Sequence, residues 1–137
     1  WNLLQIRHGV VSITASTTDL FTPQNLNLDL ISGVSFTKGC YPGQEIVARL
    51  RYLGRVKQRL LRGSVQGERE VRVGQSVILA DSTNNKAGVI VNASALAGVT
   101  TECLLSVYDF LEAENVYCYR DQPNKQITTL PLPYPLQ

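Results

Sequence analysis

From Gly54 onward the chain is broken into short runs rich in Val, Leu, Ile and Tyr, set off by Gly, Asn and Asp at intervals of about 8–12 residues. Such punctuation restricts this part to a small β-domain. The spacing predicts strands over Val56–Val65, Ser76–Ala80, Ala87–Ala93, Cys103–Phe110, Asn115–Arg120 and Gln126–Leu130, with a hairpin turn from Asp81 to Lys86. Closure into an antiparallel barrel removes the exposed edges of so many short strands. The final Leu130-Pro131-Leu132-Pro133-Tyr134-Pro135 favours polyproline II and reads as a tail packed on that barrel.

Before Gly54 the pattern is different. Trp1, Leu3, Leu4 and Ile6 have helical spacing, and Gly9 suits a left-handed stop. Val10 to Ile13 suggests a short strand, Thr14 to Thr22 a polar loop ending at Pro23, and Leu26, Leu28, Leu30 and Ile31 an apolar patch before Gly33. Pro42 has the φ of a first helical residue and lacks an N–H that would have no partner there, so a helix is expected to open at Pro42 and run to about Leu53. Ile46, Val47, Leu50 and Leu53 form its apolar face, Glu45 and Arg49 an i,i+4 pair on another, and Gly54 its stop. The expected class is α+β. The boundary is expected at Gly54, with a mixed segment over 1–54, which the resemblance described below implies is the end of an α+β domain, and the β-barrel over 55–137.

Composition excludes several functions. Thirteen Lys and Arg against eleven Asp and Glu leave a charge of +2, too small by itself to argue for nucleic acid or an anionic membrane. No apolar run approaches the roughly 20 residues of a spanning helix, and no basic-then-apolar leader opens the chain. Cys40, Cys103 and Cys118 are odd in number and widely spaced, unlike a disulfide framework or a CxxC zinc site, which suits a reducing, cytoplasmic setting with no metal. Asn92-Ala93-Ser94 formally matches a glycosylation acceptor, but without a secretion signal it reads as a turn-proximal polar triplet. The absence of methionine and the apolar start at Trp1 suggest a piece of a longer protein.

The candidate chemistry centres on Cys40. Its place before the expected helix and two residues from Lys38 favours a thiolate, whereas the same cysteine could equally be a small buried apolar residue; local features leave both readings open. Gly39 and Gly43 permit close backbone approach or unusual φ, and Gln44 and Glu45 can either contact a ligand or cap a first turn. Arg49, Arg51, Arg55, Lys57, Arg59 and Arg62 would attract RNA or a polyanionic tail, but on alternating faces they need not converge, and a solvated charged surface is the simpler reading. His8 is the sole histidine, which rules out a His-rich metal site and favours a structural role.

The segment Phe36-Thr37-Lys38-Gly39-Cys40-Tyr41-Pro42-Gly43-Gln44-Glu45-Ile46-Val47-Ala48-Arg49 resembles the K-G-C-Y-x-G-Q-E-x-x-x-R signature of the YgfZ-type folate-binding family, with every fixed position present. Ile6-Arg7 with Gly9, the stretch Thr22 to Leu28, and Leu53 to Leu60 resemble segments shared with the related glycine-cleavage T-proteins. The resemblance covers about residues 1–65; beyond that only the pattern and the Ala87-Gly88-Val89-Ile90 strand match.

The resemblance implies a protein that binds tetrahydrofolate in an α+β domain, followed by a C-terminal β-barrel. It implies support for assembly or repair of iron–sulfur client proteins and, through them, of tRNA modification, with tRNA an indirect or weak partner of a monomer that uses no membrane. Cys40 corresponds to the functional thiol, with Lys38 beside it; Gln44, Glu45 and Arg49 belong to the folate side. Trp1 lies at the spacing of a tryptophan proposed to flank the pterin, although an aromatic on a helix also serves as core. On this reading the protein is an accessory factor rather than an enzyme. A T-protein-like aminomethyltransferase is the alternative, weakened because the corresponding T-protein segment lacks the cysteine, and an RNA-binding β-domain is a third.

Overall fold

The computed structural model describes residues 1–67, 70–80, 86–96, 100–108 and 116–136. Six antiparallel strands close into a barrel: β1 (Gln58–Gln66), β2 (Ser76–Leu79), β3 (Lys86–Ala95), β4 (Thr100–Tyr108), β5 (Tyr117–Tyr119) and β6 (Gln122–Leu130). Their order around the barrel is β1-β4-β3-β2-β5-β6, with β6 pairing back onto β1. The expected α+β arrangement with a small antiparallel barrel is therefore the one found.

Residues facing opposite ways along each strand build two cores. Val65, Ile90, Cys103, Leu105, Val107, Tyr117, Tyr119 and Ile127 fill the barrel. Leu60, Val91 and Leu104 face outward and are covered by Ile6 of helix α1 (Asn2–Arg7) and Leu26 of a 3-10 helix (Pro23–Leu26). Strand β4 is thus buried on both sides from Thr101 to Val107, which is why it reads as a nearly unbroken apolar run.

The stop at Gly9 is a Schellman motif. Gly9 has φ +64, its N–H donates to the Ile6 carbonyl at 3.1 Å, and the Val10 N–H reaches back to the Gln5 carbonyl at 2.9 Å. The proline-rich tail packs on this point as expected: the Tyr134 hydroxyl donates to the Gly9 carbonyl at 3.1 Å, and Leu132 joins the outer core.

Several expectations are corrected. Residues 10–13 form no strand. Instead, the Ser12 N–H donates to Asn92 Oδ1 at 3.0 Å and Asn92 Nδ2 donates to the Ser12 carbonyl at 2.9 Å, so one buried amide side chain satisfies the backbone that a ladder would have served. The same contacts place Asn92 inside β3 rather than near a turn, with its amide engaged and unsuited to carry a glycan. Strand β6 begins at Gln122, four residues early, because Arg120 and Asp121 make a tight turn and Gln122 pairs at once with Tyr119. The expected Asp81 to Lys86 turn lies outside the described residues up to 85, and Lys86 already opens β3. The ends of the expected strands at 109–110 and 115 also lie outside them.

Among the described residues no helix is long and apolar enough to cross a membrane.

Candidate functional site

Helix α2 spans Gln44–Tyr52 and does not open at Pro42. Pro-Gly here makes a type II turn: Gly43 has φ 84 and ψ −1, and the Gln44 N–H donates to the Tyr41 carbonyl at 3.1 Å. Proline at the second turn position and glycine at the third match that turn's dihedrals, so Pro42 serves the turn and Gly43 becomes the residue before the helix. Gly39 also has positive φ, and a Cβ added at either glycine would meet nothing within 4 Å. Both are therefore needed for backbone conformation rather than for a close approach.

These two glycines bracket Cys40, Tyr41 and Pro42 in a loop that holds Cys40 on the surface. Cys103 and Cys118 are buried, and their burial pushes both thiols up, Cys103 to about 12 with the neighbouring Glu102 charge adding to the effect. The buried-apolar reading of a cysteine thus describes Cys103 and Cys118, and the exposed Cys40 is the accessible thiol. Lys38 and Tyr41 line a small cavity of about 250 Å³ with Pro23, Val34 and Ser35. The Thr37 and Lys38 N–H groups both donate to Ser35 Oγ, which shapes the approach to this loop.

Gln44 is half-buried, while Glu45 and Arg49 are exposed. The expected Glu45–Arg49 pair is not closed: among the described residues the ion pairs are Arg7–Glu102, Arg59–Asp29 and Arg62–Glu102. An exposed pair of this kind is worth only about 0.3–0.5 kcal/mol, too little to hold two long side chains together. Trp1 stands at the start of α1, which packs on β3 and β4, and is 90% exposed; it lines neither the cavity at Lys38 nor the larger one described below. His8 Nδ1 donates to the Leu4 carbonyl at 2.8 Å, a structural role.

Residues outside the expected set position the segment. Gln24 Nε2 donates to the Val47 carbonyl at 2.6 Å, and Arg59 Nη1 donates both to the Gln24 carbonyl and to Asp29 Oδ1. This chain of contacts ties α2 through the 3-10 helix to β1. Asn27, with φ 58, completes the anchor by donating Nδ2 to the Leu60 carbonyl at 2.9 Å and accepting the Leu60 N–H at 3.1 Å. The only sequence signal for these contacts is the cluster of amides after Pro23; their partners lie far along the chain.

The basic cluster divides. Arg62 turns to Glu102 on the outer core side, whereas Arg51, Arg55 and Arg59 line one cavity of about 780 Å³. Arg51 lies over the Phe36 ring at 4.2 Å, and Phe36 meets Tyr52 edge-on at 6.3 Å, so the start of the signature segment is fastened to the end of α2. The solvated-surface reading therefore holds for only part of the cluster.

No family model matches the chain. Curated relatives do. The chain is 39% identical over 138 aligned residues to the tRNA-modifying protein YgfZ of Edwardsiella ictaluri, an alignment covering 98% of this chain and 41% of that protein. It is 35% identical to the tRNA-modifying protein YgfZ of Pectobacterium carotovorum, over 98% of this chain and 40% of the relative. A shorter match of 60 residues to the protein of the same name from Colwellia psychrerythraea reaches 57% identity, over 44% of this chain and 18% of that one. The chain spans about two fifths of the length of the relatives it matches along its length.

Proposed function

Because this chain is homologous to the YgfZ proteins along nearly all of its length, we propose that it contributes to tRNA modification as a folate-binding accessory factor for iron–sulfur proteins, with Cys40 as its working thiol. The observation that carries the reading is the contrast among its cysteines: Cys40 is held on the surface between two positive-φ glycines and near Lys38, while Cys103 and Cys118 are buried with thiols that resist ionisation. The side chain that the family resemblance selects is the accessible one.

Tetrahydrofolate fits the residues here only in part. The cavity at Lys38 and Tyr41, about 250 Å³, is smaller than the roughly 300–1,000 Å³ of small-molecule sites, so these residues hold one end of the ligand, with Gln44 and Glu45 at the nearby helix start. The remaining walls come from outside these residues. Lys38 supplies a cation for an anionic or carbonyl group, and Tyr41 a ring face and a hydroxyl. Cys40 stands beside this cavity without lining it, which suits a thiol that meets a second partner, an iron–sulfur client, while folate is bound. Three unpaired thiols favour a reducing compartment, and we place the protein in the cytoplasm, acting as a monomer.

The test is Cys40→Ser in the full-length protein, supplied to cells lacking their own copy. Thiolated nucleosides in bulk tRNA and iron–sulfur client activity should both fall several-fold at unchanged protein level. Unchanged values would remove the role assigned to the thiol. A tetrahydrofolate titration of the full-length protein followed by calorimetry, repeated with Trp1→Phe, checks the ligand and the part of Trp1; no saturable binding would remove folate.

A further inference from the structure

The larger cavity lies where the end of α2, the connection from Leu53 to Lys57 and the C-terminal tail meet, and it is separate from the small cavity at Lys38. At about 780 Å³ it falls within the usual range of small-molecule sites. Three arginines, Arg51, Arg55 and Arg59, are among its lining residues, against one acidic residue, Asp29, which is already paired with Arg59. Among the described residues neither Arg51 nor Arg55 has a carboxylate partner. The Arg51 guanidinium lies over the Phe36 ring at 4.2 Å.

Arg59 is 4% exposed and commits Nη1 to the Gln24 carbonyl and to Asp29 Oδ1, so it forms a fixed wall of the cavity, while Arg51 and Arg55 supply the accessible cations. Tyr52 and Tyr134 line the same cavity. Planar guanidiniums engage phosphate oxygens bidentately, and a ring beside them takes an aromatic base.

We propose that this cavity binds a nucleoside phosphate, met either as a free mononucleotide or as one nucleotide of a single RNA strand. Phosphate sits at Arg51 and Arg55, and the base lies against Tyr52 or Tyr134. The site does not depend on Cys40, so it stands or falls separately from the thiol reading.

The test titrates the full-length protein with adenosine 5′-monophosphate, a short single-stranded oligoadenylate, inorganic phosphate and tetrahydrofolate, read by calorimetry and by shifts of tyrosine ring resonances. Arg51→Gln and Arg55→Gln should each weaken mononucleotide binding about tenfold, the loss of roughly one charge-assisted contact. Arg120→Gln, an exposed cation outside the cavity, should leave it unchanged, and so should Cys40→Ser. Tighter binding of the oligoadenylate than of the mononucleotide assigns the site to an RNA strand; equal binding assigns it to the free nucleotide. The proposal is overturned if neither nucleotide binds, if the Arg51 and Arg55 variants behave like Arg120→Gln, if inorganic phosphate binds as tightly as the mononucleotide, or if tetrahydrofolate displaces the mononucleotide at lower concentration.

Discussion

Replacing Asn27 should destabilise the protein well beyond an ordinary polar substitution. Strand β1 pairs with β4 along Gln58 to Gln66 but with β6 only from Arg62 to Ser64, so the second edge of β1 at Leu60 has no neighbouring strand. The Asn27 amide takes that place, accepting the Leu60 N–H and donating to the Leu60 carbonyl, with both residues fully buried. Asn27→Ala orphans both backbone groups, at about 1–3 kcal/mol each. It also forces alanine into the left-handed region at φ 58, a further cost of about 1–2 kcal/mol. Water entering the space left by the amide offsets part of the first term, leaving an expected loss of about 3 kcal/mol or more. Asn27→Gly removes the same hydrogen bonds while tolerating the backbone, so it should lie about 1 kcal/mol above the alanine variant. Urea denaturation of the wild type and both variants measures these differences. A loss below about 1 kcal/mol for Asn27→Ala would refute the idea that this amide substitutes for a missing strand.

Four further outcomes follow from the structure. A thiol reagent should modify Cys40 quickly in the folded protein, and Cys103 and Cys118 only after denaturant is added; a second fast-reacting thiol in the native state would contradict their burial. Burial alone would raise the Glu102 carboxyl, but hydrogen bonds and charge from Arg7 and Arg62 outweigh it and hold the group below its ordinary value of 4.5. A lowered carboxyl stabilises the fold above the unfolded value and loses that contribution as pH falls through the folded one. Stability should therefore drop below about pH 4.5, and more shallowly in Glu102→Gln; parallel acid-unfolding curves would count against the assignment. Gly9→Ala should cost about 2–3 kcal/mol by thermal melting, because φ +64 strains any Cβ and that Cβ would lie 2.5 Å from the Tyr134 hydroxyl and 2.9 Å from both the Tyr134 ring and Leu132; the last two contacts survive in Tyr134→Phe, which should not restore the loss. Gly88→Ala should abolish cooperative folding, since its Cβ would collide with the Ser106 carbonyl and the Val107 backbone across the β3–β4 pair; a cooperative melt near the wild-type temperature would disprove it.

The barrel was legible in the sequence because its information is local. Apolar runs such as Cys103 to Val107 and the punctuation between them mark each strand without reference to its partner. The stop of α1 was readable for the same reason, since Gly9 is both the cue and the device. Pro42 misled because proline suits a first helical turn and a type II turn equally; the glycine that follows it decides in favour of the turn. Contacts made at a distance were not legible at all. Asn27 with Leu60, Asn92 with Ser12, and Gln24 with Val47 each depend on two segments meeting after folding, and an amide in a sequence does not announce which backbone it will meet. The convergence of Arg51, Arg55 and Arg59 has the same origin: a helix end, a connection and a strand place these residues together, while Arg62, three residues on, faces away to Glu102. Within the signature segment the glycines and the thiol could be picked out, but not that Cys40 would be exposed.

Helix α2 buries only Val47 among its nine residues, leaves Ile46 60% and Leu53 beyond its end 86% exposed, and is fastened mainly by the Gln24 amide and the Arg51–Phe36 stack. Its amide protons should exchange with solvent orders of magnitude sooner than those of β4, because opening α2 sacrifices a single buried side chain while opening β4 dissolves both cores. The loop that carries Cys40 is therefore joined to a separable unit of low local stability, able to shift or rebuild around a partner without drawing on the cooperativity of the barrel.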